Sequence, residues 1–298
     1  MEKLFLNSSD GYKLSLAVFA AEEGKAVIQI VHGMQEHKER YYPFAEFLCK
    51  NGYSVVVSDL RGHGEDAPLI GHIADKKGEE LLIDDQNAIY GYIKERFNDL
   101  PVYLFGHSMG SIISRVLLQT KSKNYAKVAL SGYVNPNPAS PVAVFLGNIV
   151  KALSGKTKSS KLLYTLALGP YAKSIKDRKT NLDWLSVNEE NVQKYIADEL
   201  CGIKFTNGSF SALFHLLNKM GKVGKYVDVN EDMPVLLVGG EDDPCTGGEK
   251  GRAASKKLFE NAGFKNVSAI TYKGMRHEIL NETDNGKVYE DILEFFNK

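Results

Sequence analysis

Between residues 26 and 133, short apolar runs alternate with amphipathic stretches of helix length. "AVIQIVHG", "YSVVVSDL", "VYLFGHS" and "KVALSGY" are dense in Val, Ile and Leu, while "YPFAEFLCKNG", "LLIDDQNAIYGYIKERF" and "SIISRVLLQTKS" space their apolar residues as helices do. Near-continuous apolar strands separated by helices indicate a parallel sheet covered on both faces. Ahead of them, "LFLNSSDGYKL" alternates and turns like a β-hairpin. After Tyr133 the rhythm stops. Residues 134–231 hold no convincing buried strand but several helix-like stretches, among them "PVAVFLGNIVKALSG" and "FSALFHLLNKMGKV", with the small-polar "SGKTKSSK" reading as a loop. The alternation resumes with "MPVLLVGG", "EKGRAASKKLFENAG", "VSAITYKG" and a final amphipathic "KVYEDILEFFNK". The pattern predicts an α/β fold with a mostly parallel central sheet flanked by helices. Residues 1–133 and 232–298 would form its core, and 134–231 a helical cap inserted into it.

Composition narrows the partners. The 37 basic and 37 acidic residues cancel and form no block of one sign, so the footprint of a nucleic-acid binder is missing and a small-molecule partner is expected. Three cysteines, Cys49, Cys201 and Cys245, are few, odd in number and far apart, which points to a reduced, cytoplasmic setting without a disulfide framework. No apolar run approaches the roughly 18 to 20 residues needed to span a bilayer. "LSLAVFAA", following Lys13, has the look of a short secretory core, but the hairpin pattern before it argues for a strand.

Against this background "FGHSMGS" carries chemistry. An unassisted serine hydroxyl is a poor nucleophile; it needs a base, a group that orients the base, and donors for the oxyanion. In "VYLFGHSMGSII" a strand runs into G-x-S-x-G and a helix pattern starts at once, as a nucleophile elbow centred on Ser108 requires. Gly106 and Gly110 fit the crowding of such a turn. The orienting acid belongs at the carboxyl end of a later strand, where "MPVLLVGGEDDPCT" offers Glu241, Asp242 and Asp243 and the pattern does not choose among them. Of the seven histidines, His277 alone follows the last strand and precedes the last helix, the place of the base in the order serine, acid, histidine. The oxyanion donors are expected to be the backbone N–H groups of Met109 and of Met34, the latter in "IVHGMQEHKERY", where Gly33 permits close backbone approach. His32 and His37, and His63 with Glu65 and Asp66, lack established ligand spacing on one element, so neither a metal nor any other cofactor is expected.

Read together, "HGMQEHKERY", "DLRGHG", "GHSMGS", "GGEDDP" with the downstream "GEKG", and "RHEILNE" resemble the monoacylglycerol lipase and lysophospholipase group of α/β-hydrolases, over residues 32–282 and in that group's order. "TNLDWLSVNEENVQKYIADELCGIKFT" is similar to the cap of bacterial members. The resemblance implies an α/β-hydrolase with Ser108 as nucleophile, His277 as base and Asp243 as the orienting acid, with Asp242 as runner-up. Met34 and Met109 take the two oxyanion positions, and Glu36, Arg40 and His107 form a supporting network. Many relatives have glycine or alanine at the place of Met34, which implies a narrower acyl channel here.

The expected reaction is acyl transfer to water from a carboxylic ester, a monoacylglycerol or lysophospholipid, through an acyl-enzyme. The cap would form the lid, with Phe145, Leu146, Leu166, Leu168, Phe210, Phe214 and Leu217 suited to a fatty chain. Transient contact of the cap with a membrane fits this reading; a stable anchor does not. Short-chain carboxylesterase, thioesterase and proline iminopeptidase activities use the same chemistry, a dehalogenase would need an aspartate at Ser108, and a non-enzymatic ligand receptor is the alternative of a different kind. Cys245, two residues past Asp243, is expected to make the acid loop sensitive to bulky thiol reagents.

Overall fold

β3 (Ala26–Val31), β4 (Tyr53–Ser58) and β7 (Val235–Gly240) are buried at every position, as strands covered on both faces must be. The computed structural model describes residues 1–98 and 100–298. With β1 (Glu2–Asn7), β2 (Lys13–Phe19), β5 (Val102–His107), β6 (Lys127–Ser131) and β8 (Val267–Tyr272) they form one sheet in the order β1-β2-β4-β3-β5-β6-β7-β8. The expected hairpin is present as β1 and β2, and β2 also runs antiparallel to β4. All other pairs are parallel. "LSLAVFAA" lies largely in β2, every residue of which after Lys13 is buried.

The helices are α1 (Tyr42–Lys50), α2 (Gly78–Phe97), α3 (Met109–Lys121), α4 (Ser140–Ser154), α5 (Lys161–Ser174), α6 (Glu189–Ala197), α7 (Asn207–Met220), α8 (Gly248–Asn261) and α9 (Asn285–Asn297). The alternation of strand side chains divides the core in two. Leu104 and Leu237 face Ile113, Leu117, Phe210 and Phe259 on one side, and Phe105 and Val238 face Phe44, Leu48, Ile292 and Phe296 on the other.

The four helices α4 to α7 lie between β6 and β7. Two of them were not individually legible in the sequence, because α5 contains Pro170 and α6 is mostly polar. Their starts are fixed by capping side chains: Ser160 accepts from the Leu163 N–H, Asn188 from those of Glu190 and Asn191, and Thr206 from that of Ser209. The α7 helix is no free flap. Phe210 and Phe214 are fully buried in the main core.

Candidate active site

The elbow begins where β5 ends. Ser108 has φ 52° and ψ −116°, a conformation few non-glycine residues adopt, and α3 starts at the next residue. Its N–H donates to Ser131 O (3.0 Å), and its carbonyl accepts from Ser111 Oγ (2.7 Å). Close approach explains the flanking glycines. A Cβ on Gly110 would lie 2.0 Å from Val31 O, and one on Gly106 2.5 Å from Ser114 Oγ. Because the obstacle at Gly110 is strand backbone, Gly110→Ala is expected to cost about 3 kcal/mol or more, read as a lowered midpoint in urea denaturation.

The loop after β8 brings His277 to the serine, with Nε2 2.8 Å from Ser108 Oγ and Nδ1 2.9 Å from Asp243 Oδ2. Of the three acids after β7, Glu241 and Asp242 are exposed and Asp243 is buried. Its other oxygen, Oδ1, accepts from the Cys245 N–H (2.8 Å), so the carboxylate is fixed from both ends. Burial by itself would favour a neutral His277, but the Asp243 charge outweighs it and holds the imidazole pKa well above the usual histidine value of 6.5. Cys245 contributes no charge at neutral pH, since burial pushes its thiol up to about 11. It is a buried wall residue of the cavity. A base must be neutral to accept a proton. kcat/KM is therefore expected to rise with pH along an acid limb centred above pH 6.5, measurable on a soluble ester at saturating buffer capacity.

His107 makes no comparable contact with Ser108 Oγ; its Nδ1 lies 3.3 Å from Ser131 Oγ. It is buried, burial and the neighbouring His277 lower its pKa to about 4, and its ring lies 4.8 Å from that of His277. Remaining neutral, it adds no repulsion to a charged His277.

Met34 and Met109 both border the cavity at Ser108, Met109 as the first residue of α3, whose N-terminal end favours negative charge. The loop carrying Met34 is tightly held. Gly33 N–H donates to Glu36 Oε1 (2.6 Å), which also accepts from Tyr41 (2.7 Å), and a Cβ on Gly33 would lie 2.5 Å from that same oxygen. Glu36 Oε2 accepts from Arg40 Nη1 (2.8 Å), and Arg40 grips both oxygens of Glu278 at 2.6 and 2.7 Å. Burial would raise the pKa of both glutamates, but Arg40 prevails and keeps them ionised. His32 and His63 serve the same loop as neutral struts, both lowered to about 3 chiefly by burial. His32 Nε2 accepts from the Leu60 N–H (2.9 Å) and His63 Nε2 from that of Gln35 (3.2 Å).

Glu278 and Trp184 escaped the sequence reading. Glu278 sits beside His277 in "RHEILNE", but its partner is 238 residues away, and the Trp184 ring packs 4.9 Å from that of His277. Ser108 and His277 open onto a mostly apolar cavity walled by Met34, Ile112, Val134, Leu168, Tyr171, Trp184, Leu185, Leu213 and Leu217. Of the seven residues expected to suit a fatty chain, Leu168 and Leu217 line it. Phe210 and Phe214 instead fill the core beneath α7, Phe145 and Leu166 are exposed, and Leu146 is half-buried. Helical spacing marks an apolar face without saying what it meets.

Residues 22–284 match the family described as serine aminopeptidase, S33. Phospholipase YtpA of Bacillus subtilis is 27% identical, covering 92% of this chain and 96% of its own. The monoacylglycerol lipase of Mycolicibacterium smegmatis is 26% identical, over 90% of this chain and 86% of that protein. Among solved structures, a thermostable carboxyl esterase from Bacillus coagulans in complex with glycerol superposes with a TM-score of 0.92 at 23% identity, covering 99% of this chain and 97% of that one. That likeness places the fold beyond doubt.

Proposed function

Because the chain belongs to the serine aminopeptidase S33 family of α/β-hydrolases and is an ester hydrolase, we propose that it cleaves single-chain acyl lipids, monoacylglycerols or lysophospholipids, with Ser108, His277 and Asp243 as its triad. The observation that carries this reading is the apolar cavity, walled by Leu168, Trp184, Leu185, Leu213 and Leu217, that opens directly on Ser108 and His277. His277 takes the Ser108 proton as the hydroxyl attacks the ester carbonyl. The Met34 and Met109 N–H groups receive the oxyanion, and Asp243 keeps the imidazole in the accepting tautomer. The alcohol leaves with the proton from His277, and water repeats the cycle on the acyl-enzyme.

The family description names a peptidase, and an aminopeptidase needs an unpaired anion for the substrate ammonium. The carboxylates bordering the cavity among the described residues, Glu36 and Glu278, are both engaged by Arg40. An acyl chain suits the remaining walls better. Exposed Val142, Phe145, Leu153 and Leu162 on α4 and α5 offer the cap an apolar outer face for a lipid aggregate. No helix among the described residues is long and apolar enough to cross a membrane.

The test is a panel of monoacylglycerols, lysophospholipids, short p-nitrophenyl esters and aminoacyl amides. kcat/KM is expected to rise from short to long acyl chains, by up to about tenfold for each 1.4 kcal/mol of added apolar contact in the transition state. Preference for the aminoacyl amides, or for the shortest esters, would overturn the lipid reading.

A further inference from the structure

Apart from the triad, the fold gathers an imidazole, a carboxylate and a thiol from two distant segments. His37 lies on the loop after β3, while Asp198 and Cys201 follow α6 in the cap, and the three ligand-type atoms lie within 4.8 Å of one another. We propose that His37, Asp198 and Cys201 bind a divalent cation of the zinc class and so tie the cap to the loop that carries Met34.

Several observations converge on this site. One nitrogen, one carboxylate oxygen and one sulfur are a donor set zinc accepts in tetrahedral geometry, with a fourth position left for water. His37 is also oriented as a metal-bound imidazole is: Nδ1 meets Glu39 Oε2 at 2.9 Å, leaving Nε2 toward Asp198 Oδ2 at 2.8 Å. A nitrogen and an oxygen bound to one tetrahedral zinc stand about 3.3 Å apart, against 2.8 Å between His37 Nε2 and Asp198 Oδ2 here, so this pair must open to admit the cation. The Asp198 side chain, 35% exposed, is the one with room to move, whereas those of His37 and Cys201 are buried.

The backbone around the donors is already ordered. Leu200 N–H donates to Asp198 Oδ1 (2.9 Å), Cys201 N–H to Asp198 O (3.0 Å), and Gly202 N–H to Gln35 O (2.9 Å). Tyr195 also donates to Gln35 O (2.7 Å), and the Gln35 amide reaches Ile203 O. Little chain entropy remains to be lost on binding. In the metal-free protein, His37 as an imidazolium would bridge Asp198 and Glu39. The cation replaces the imidazolium proton and the thiol proton, both released to solvent, so the charge of the cluster is unchanged.

Cobalt(II) is the probe, titrated into the reduced, chelator-treated full chain. One equivalent is expected to produce a thiolate-to-cobalt absorption band, displaced by zinc, and saturating zinc to raise Tm. Cys201→Ser should lose the band and weaken cobalt binding at least tenfold, and Asp198→Asn should weaken it while keeping the band. Cys245→Ser should keep the cobalt band and the cobalt affinity of the unsubstituted chain, whatever its activity, which separates this site from the second close grouping, Asp243, Cys245 and His277. Metal-free Tm values check that each variant folds. No thiolate band in the wild-type chain, or a band that survives Cys201→Ser and disappears in Cys245→Ser, would overturn the proposal. Neither readout depends on the triad or on the substrate.

Discussion

Ser108→Ala is expected to lower kcat on a p-nitrophenyl ester by about a million-fold while leaving Tm near that of the unsubstituted protein. The hydroxyl is the atom that would form the acyl-enzyme, and Nε2 of His277 stands 2.8 Å from it. Folding should be spared because the side chain adds one polar contact and the backbone holds the turn through Ser131 and Ser111. A serine-directed probe should label the original chain once and the variant not at all. Multiple turnovers that vanish with Ser108 would assign the hydrolysis to this serine; turnover that survives Ser108→Ala would place the nucleophile elsewhere.

Asp243→Asn is expected to lower kcat by about ten thousand-fold, while Asp242→Asn stays near the original activity. An amide at 243 can donate to Nδ1, which favours the tautomer whose Nε2 carries the proton and cannot accept one from Ser108. It also removes the charge that holds the His277 pKa high, so residual activity should show its acid limb at lower pH than the original chain. Asp242 is solvent-exposed, and its charge lies outside the serine and histidine contact. An intact Asp243→Asn with an inactive Asp242→Asn would move the acid by one residue.

The legible part of the fold was the part whose cause is local. Strands buried on both faces are mostly apolar, so β3, β4, β5, β6 and β7 were visible as runs rich in Val, Ile and Leu. Gly106 and Gly110 were visible because a tight turn between strand and helix leaves no room for a Cβ. In the cap, local cause fades. Pro170 interrupts the pattern of α5, and the polar α6 owes its start to Asn188 and its place to contacts with the core. Apolar faces on α4 and α7 looked equivalent, yet Phe145 meets solvent and Phe214 the main core.

The order of strand, turn and loop by itself determined where a nucleophile and a base could stand, since chain connectivity in a parallel sheet delivers them to one edge. It could not choose among Glu241, Asp242 and Asp243. That choice required direction, because consecutive residues point different ways and only the packed chain shows that Asp243 is turned inward onto His277 Nδ1. The same limit hid Arg40 with Glu278 and His37 with Asp198. Side-chain pairs 238 and 161 residues apart leave no periodic trace in a sequence, because their attraction depends on distance in space and the chain between them is free to be anything that folds.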